Sequence, residues 1–285
     1  MRKLIWTCNE GSCGGYADRL KGIVTAYLMA EAVGREFFIE WNGITNLQDA
    51  FYSERMWDGE PGGTSLRLID KLETESEVSN AIRLAGRLKD ETVYISINQY
   101  DAPHWEALGT DIEDSMPKTF AHVLDTLLAP RRQINCHPEY LAALQFLKTY
   151  KPVGVQVRTG EYHNEDGVTC ADTRDVLARV LRDRAPAMFI ASDSPFWKDH
   201  LAGISEIPSY RIRFAPAHIE RSEPEDIRRT FLLTVIEHQI LSKCSKVYTG
   251  WGGFGRTAAW WGRKPCVDLL LPPAESEGRV VDIGS

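Results

Sequence analysis

Short apolar runs alternate with longer amphipathic stretches along this chain, the pattern of strands and helices taking turns. Residues 4–7 form the first apolar run. A loop over 9–16 follows, carrying Gly11, Gly14 and Gly15. Leu20, Ile23, Val24, Tyr27 and Leu28 then recur at helical spacing, Gly34 supplies a stop, and 36–41 reads as the next strand. This is one β-α-β unit. Residues 42–66 are rich in Gly, Asn and aromatics and read as irregular; 66–88 and 119–128 predict helices, with a strand over 92–97 between them. A helix over 138–149 leads into Lys151-Pro152, where proline disfavours helix in the residue before it and marks a boundary.

Beyond that boundary the alternation resumes. Val153, Val155 and Val157 read as a buried strand breaking at Arg158. The segment 173–184 places Val176, Leu177, Val180 and Leu181 on one helical face, with Asp172 as N-cap. Strands are expected over 188–191, 210–214, 246–249 and 267–271. Ser222 and Glu225 have capping-box spacing and open a helix ending near Lys243. The turn GWGGFGR leads into a helix over 257–261. The expected class is α/β: two successive α/β halves, each with a parallel sheet, 1–151 and 152–265, followed by a terminal strand and tail over 266–285. A cleft between two such halves is a natural ligand site.

Composition narrows the partners. The 285 residues carry a formal net charge of -7, which argues against nucleic acid, since broad phosphate binding needs an excess of Lys and Arg. One small anion held by a local arginine is still allowed. No run approaches the roughly 20 apolar residues of a membrane span, and the start lacks the apolar core of a signal peptide. Cys8, Cys13, Cys136, Cys170, Cys244 and Cys266 show no CxxC spacing, so free thiols and a cytoplasmic location are expected.

The chemistry gathers at three strand ends. VGVQVRTGEYHNED (153–166) sets Arg158 where open α/β sheets place ligands, and follows it with Glu161, Glu165 and Asp166. A guanidinium there suits a phosphate clamp, and a nearby carboxylate can take a proton. MFIASDSP (188–195) ends a strand in Ser192 and Asp193, able to line a ligand or simply to form a turn or helix cap. YTGWGGFGR (248–256) joins strand to helix through glycines that let backbone N–H groups approach a phosphate. It is neither a Walker A sequence nor GxGxxG. Glu237 lies within an otherwise apolar helix and suits either a nucleobase edge or an arginine; His163 and His238 are bases only on a weaker footing. No His/Cys cluster and no Asp-x-Asp element is present, so no metal is expected.

In order, the segments 14–41, 153–167, 188–195 and 240–259 resemble the motifs of GDP-fucose-dependent fucosyltransferases. The likeness is nearest to the α1,6-fucosyltransferases of the core N-glycan and nodulation-factor type, and more distant to protein O-fucosyltransferases. The resemblance implies a metal-independent, inverting glycosyltransferase of GT-B type, with two Rossmann-like domains facing across a cleft. It implies GDP-fucose as donor, an oligosaccharide or glycoconjugate as acceptor, and no cofactor. By that likeness Arg158 grips the β-phosphate, Gln156 stands where His is common, and Glu237 stands where Asp contacts the nucleotide. Gly252 and Gly253 replace a phosphate-binding serine pair, with Phe254 following them. Gly14, Gly15 and Arg19 complete the donor set. The family's base aligns with Asp166, with Glu161 and Glu165 as rivals, and Tyr162 replaces a lysine. Two other readings stay open: a relative that binds glycan or nucleotide without chemistry, and a methyltransferase with Glu40 on a ribose. Trp41, Trp57, Tyr100 and Trp105 offer either sugar-stacking faces or core.

Overall fold

The computed structural model describes residues 2–8, 13–41, 45–59, 62–68, 74–100, 115–158, 173–214, 227–250 and 252–269. The chain divides into two compact units, one of residues 1–130 and 218–228, the other of 131–217 and 229–285.

The first unit holds a four-stranded sheet of order β2-β1-β5-β4, parallel throughout: β1 (Lys3–Thr7), β2 (Glu36–Glu40), β4 (Thr64–Arg67) and β5 (Thr92–Ser96). The short strands β3 (Phe51–Tyr52) and β6 (Ala129–Pro130) pair antiparallel beside it. Helix α1 (Tyr16–Ala32) connects β1 to β2 and approaches the chain beyond β5 very closely. A Cβ at Gly22 would lie 1.8 Å from the Ile97 carbonyl oxygen, the same oxygen that accepts from the Trp6 indole at 2.9 Å. Only glycine fits that contact. Helix α2 (Glu75–Arg87) ends against the buried Arg35, whose guanidinium donates to the carbonyls of Ala85, Leu88, Asp90 and Lys3. One side chain thereby ties the helix terminus to β1. Helix α3 (Ser115–Leu127) follows β5, and a single 3-10 turn, Leu47–Asp49, precedes β3.

Two expectations are corrected here. The helix anticipated over 66–88 is an edge strand, β4, and then α2. Helix α2 starts at Thr74, whose hydroxyl accepts from the Glu77 amide while the Glu77 carboxylate accepts from the Thr74 amide. That reciprocal cap fixes the start and leaves Leu66 free to pair with β5. Second, Cys8 and Cys13 are not free thiols but a disulfide, with Cα atoms 5.9 Å apart between the end of β1 and the start of α1, well within bridging range. Cys136, Cys244 and Cys266 are free, and Cys170 lies outside the described residues. The bridge removes the free-thiol argument from the expectation of a cytoplasmic location.

The second unit opens with α4 (Arg132–Asn135) and α5 (Pro138–Tyr150) and is built on a five-stranded parallel sheet of order β11-β10-β7-β8-β9. Its strands are β7 (Val153–Val157), β8 (Met188–Ser192), β9 (Ser209–Arg211), β10 (Val247–Thr249) and β11 (Cys266–Asp268). Every residue of β7 and β8 is buried, as expected of parallel strands covered on both faces. Around them lie α6 (Thr173–Arg182), α7 (Pro195–Ile204), α8 (Ile227–Leu241) and α9 (Phe254–Gly262). Val155, Val157, Val176, Val180, Ile190, Tyr248 and Val267 share one core. From β7 the chain steps outward through β8 to β9, then returns to lay β10 and β11 on the other side of β7. The order therefore reverses between β7 and β10. Helix α7 was not anticipated from the sequence; it begins at Ser194, whose hydroxyl caps the Trp197 amide, with Pro195 at the first helical position. The expected caps at Asp172 and Ser222 lie outside the described residues. Among the described residues no helix is long and apolar enough to cross a membrane.

Candidate functional site

In an open parallel sheet the point where strand order reverses leaves a crevice at the carboxyl ends of the two strands concerned. Here those ends are Val157, followed by Arg158, and Thr249, followed by the glycine turn. The two are fastened together. The Gly250 amide donates to the Gln156 carbonyl at 2.8 Å, and the Thr249 hydroxyl donates to the Gln156 side-chain oxygen at 3.0 Å in a buried setting. Gly252 has φ of +96°, and a Cβ built there would lie 3.0 Å from Nη1 of Arg158, 3.4 Å from its Cδ and 3.9 Å from its Cζ. The guanidinium thus lies directly over the turn.

The far end of the turn is equally held. The Thr257 hydroxyl donates to the carbonyls of Gly253 at 2.9 Å and Phe254 at 3.2 Å. His238 Nε2 lies 3.0 Å from the same hydroxyl. With that hydroxyl already donating, the imidazole donates from Nε2. His238 is fully buried against the rings of Phe254 and Trp261, and burial pulls its pKa down to about 3. It is a neutral strut and not a base. Helix α9 begins within the turn, and its N-terminus adds partial positive charge beside Arg158. A guanidinium, a glycine turn and a helix start are thereby gathered at one strand end, the groups with which proteins can hold an anion.

Glu237, on α8, is almost wholly buried and paired at 2.6 Å with Nζ of an equally buried Lys198 from α7. Lys198 also donates to the carbonyls of Ile212 at 3.3 Å and Phe214 at 3.4 Å, and sits 4.1 Å from the centre of the Phe214 ring. Burial pushes the Glu237 carboxyl up to about 7; Lys198 pulls against this and Asp193 adds to it. Ser192 accepts from the Ser194 amide at 3.1 Å and donates to Asp193 at 3.3 Å. At the end of β8, Asp193 is close enough for its charge to be felt by Glu237, and Ser192 holds the turn that carries it. Lys198 escaped the sequence reading because the helix carrying it did.

In the first unit, Gly14 has φ of +74° and the Gly15 amide donates to the Asp18 carboxylate at 3.2 Å, so both glycines help start α1. Arg19 is buried, donates from Nε to the Gly14 carbonyl at 3.4 Å and lies 5.0 Å over Trp41. The Thr7 hydroxyl donates at 2.5 Å to Oε2 of Glu40, the carboxylate that a methyltransferase would turn to a ribose. Tyr100 is fully buried against Phe120 and Trp41 against Trp6, so both are core aromatics; Trp57 meets Phe38 edge-on. Trp105, Glu161, Tyr162, His163, Glu165 and Asp166 lie outside the described residues. Among the described residues no three His, Cys, Asp or Glu side chains gather as a metal site.

No protein-family model and no curated protein sequence matches the chain. Solved structures do. A mutant of Arabidopsis thaliana FUT1 in complex with GDP aligns over 97% of this chain and 73% of its own, at 12% identity and a TM-score of 0.64. NodZ alpha-1,6-fucosyltransferase soaked with GDP-fucose aligns over 94% and 95%, at 13% identity and a TM-score of 0.59. POFUT1 in complex with GDP aligns over 95% and 99%, at 10% identity and a TM-score of 0.56. The chain has the α/β fold of GT-B type. That fold is shared with the GDP-fucose-dependent fucosyltransferases that its motifs resemble.

Proposed function

We propose that this protein is a glycosyltransferase that moves L-fucose from GDP-fucose to a hydroxyl of a glycan acceptor, with inversion and without a metal ion. The observation that carries the proposal is Arg158 lying over the glycine turn at the β7/β10 reversal, in a fold shared with proteins solved in complex with GDP. On this reading the diphosphate sits between the guanidinium and the start of α9. Glu237 serves the nucleotide end, and the acceptor is an oligosaccharide or glycoconjugate.

The reaction asks little of the protein beyond charge control. The acceptor oxygen attacks the anomeric carbon from the face opposite the diphosphate. The carbon–oxygen bond to the β-phosphate breaks and its electron pair leaves with GDP. The acceptor proton passes to a carboxylate, for which Asp166 is the first candidate and Glu161 and Glu165 the alternatives. Charge grows on the leaving diphosphate, where preorganised donors contribute about 3–4 kcal/mol each to the transition state. General-base assistance adds about 10²–10⁴-fold.

The test is transfer from labelled GDP-fucose to a panel of oligosaccharides, run with the wild type and Arg158→Ala in the presence of chelator. Transfer or donor hydrolysis by the wild type, nearly lost in the variant, supports the reading. GDP binding without turnover on any acceptor would favour a binding protein. S-adenosylmethionine binding in place of GDP would favour the methyltransferase.

A further inference from the structure

We infer that Gly252 is a positioning residue for Arg158: the missing side chain at 252 is what lets the guanidinium rest over the turn, where a diphosphate would meet it. This rests on the donor-site reading above and adds a residue to it. Two observations bear on it independently. A φ of +96° is a conformation L-residues avoid, so the turn itself selects glycine at 252. The space above it is taken by Arg158, whose Nη1, Cδ and Cζ would all lie within 4 Å of a built Cβ. Arg158 is a flexible side chain, so a substituent at 252 moves the guanidinium before it moves the sheet. The surrounding frame resists adjustment: the Gly250 amide is bonded to β7, and the Gly253 carbonyl is bonded to Thr257.

Gly253 differs. Its φ is -83°, an ordinary value for any residue, so the two neighbouring glycines are not equivalent. A side chain is conformationally ordinary at 253 and strained at 252. Where the resembled family carries a pair of serines, this chain has bare backbone at 252, with the Arg158 guanidinium resting on it.

The experiment is a double-variant cycle on ligand binding. Dissociation constants for GDP and for guanosine, which lacks phosphate, are measured by calorimetry on the wild type, Gly252→Ala, Gly253→Ala, Arg158→Ala and the 158/252 double variant. A thermal melt of each reports folding. Gly252→Ala is expected to weaken GDP by roughly tenfold or more, the scale of one charge-assisted hydrogen bond, and to leave guanosine unchanged. Gly253→Ala should weaken GDP much less. In the Arg158→Ala background, Gly252→Ala should do nothing further, because the group it displaces is gone. Should the alanine variant not fold, Gly252→Asn carries the test, asparagine being the side chain most tolerant of positive φ. If Arg158→Ala weakens GDP while Gly252→Ala leaves it unchanged, or adds its full effect to it, this inference fails and the donor site stands. If Arg158→Ala itself leaves GDP binding intact, the donor reading fails and takes the inference with it.

Discussion

Removing the ammonium from the buried Lys198–Glu237 pair is the sharpest perturbation this structure offers. In Lys198→Met a thioether chain replaces the buried lysine stem, and the carboxylate loses a partner at 2.6 Å. An uncompensated buried charge costs about 3–5 kcal/mol. The carboxyl can escape by binding a proton, which makes the penalty depend on pH. Its folded pKa is already raised from 4.5 to about 7, chiefly by burial. The sign follows: a carboxyl that holds its proton more tightly when folded adds stability that is full below 4.5 and lost as pH rises through about 7. Without Lys198 the folded pKa rises further, so the variant goes on losing stability where the wild type has levelled off. The gap between them should widen by up to about 1.4 kcal/mol per pH unit above 7. Urea denaturation at pH 6, 7 and 8 measures it, with Lys198→Met/Glu237→Leu recovering much of the loss by removing both charges. A gap below about 1 kcal/mol at pH 8, or one that does not change with pH, would refute the account of the pair.

Three more outcomes follow. Replacing both Cys8 and Cys13 by serine should lower stability by about 2 kcal/mol, the entropy of closing so short a loop, and wild type under reducing agent should match it; no change in either denaturation curve counts against the bridge. Gly255→Ala would place a Cβ 2.6 Å from the Thr249 hydroxyl and 3.0 Å from Gln156 Cβ, so a loss of about 1–3 kcal/mol is expected by chemical denaturation. An unchanged midpoint would mean the turn and β7 are not locked together. Asp166→Asn should cut turnover by about 10²-fold or more while GDP affinity stays near wild type; unchanged turnover moves the base to Glu161 or Glu165.

What the sequence disclosed, and what it hid, follows from how far each interaction reaches. Helix α1, strands β1, β2 and β7, and the glycine turn were legible because their signals are local: periodicity, valine runs, and glycines before a helix. Helix α7 was hidden behind Ser194-Pro195, a start signal that doubles as a turn signal, and Lys198 was hidden with it. The pairing of Lys198 with Glu237 spans 39 residues, and no short pattern announces it. The strand-order reversal that sets Arg158 beside Gly252 is a property of sheet topology and has no residue-level mark. The Cys8–Cys13 bridge has no sequence mark because five-residue spacing is not a motif; it depends on how the end of β1 and the start of α1 are brought together. Gly252 and Gly253 looked like the loss of two serines, and only the φ values separate their roles.

The most direct measurement is a crystal structure of the protein with GDP. The β-phosphate should lie within hydrogen-bond distance of the Arg158 guanidinium, with the diphosphate against the amides that begin α9 and no divalent ion between them. A nucleotide bound instead at the β1–α1 turn, or a diphosphate held away from residue 158, would contradict the account.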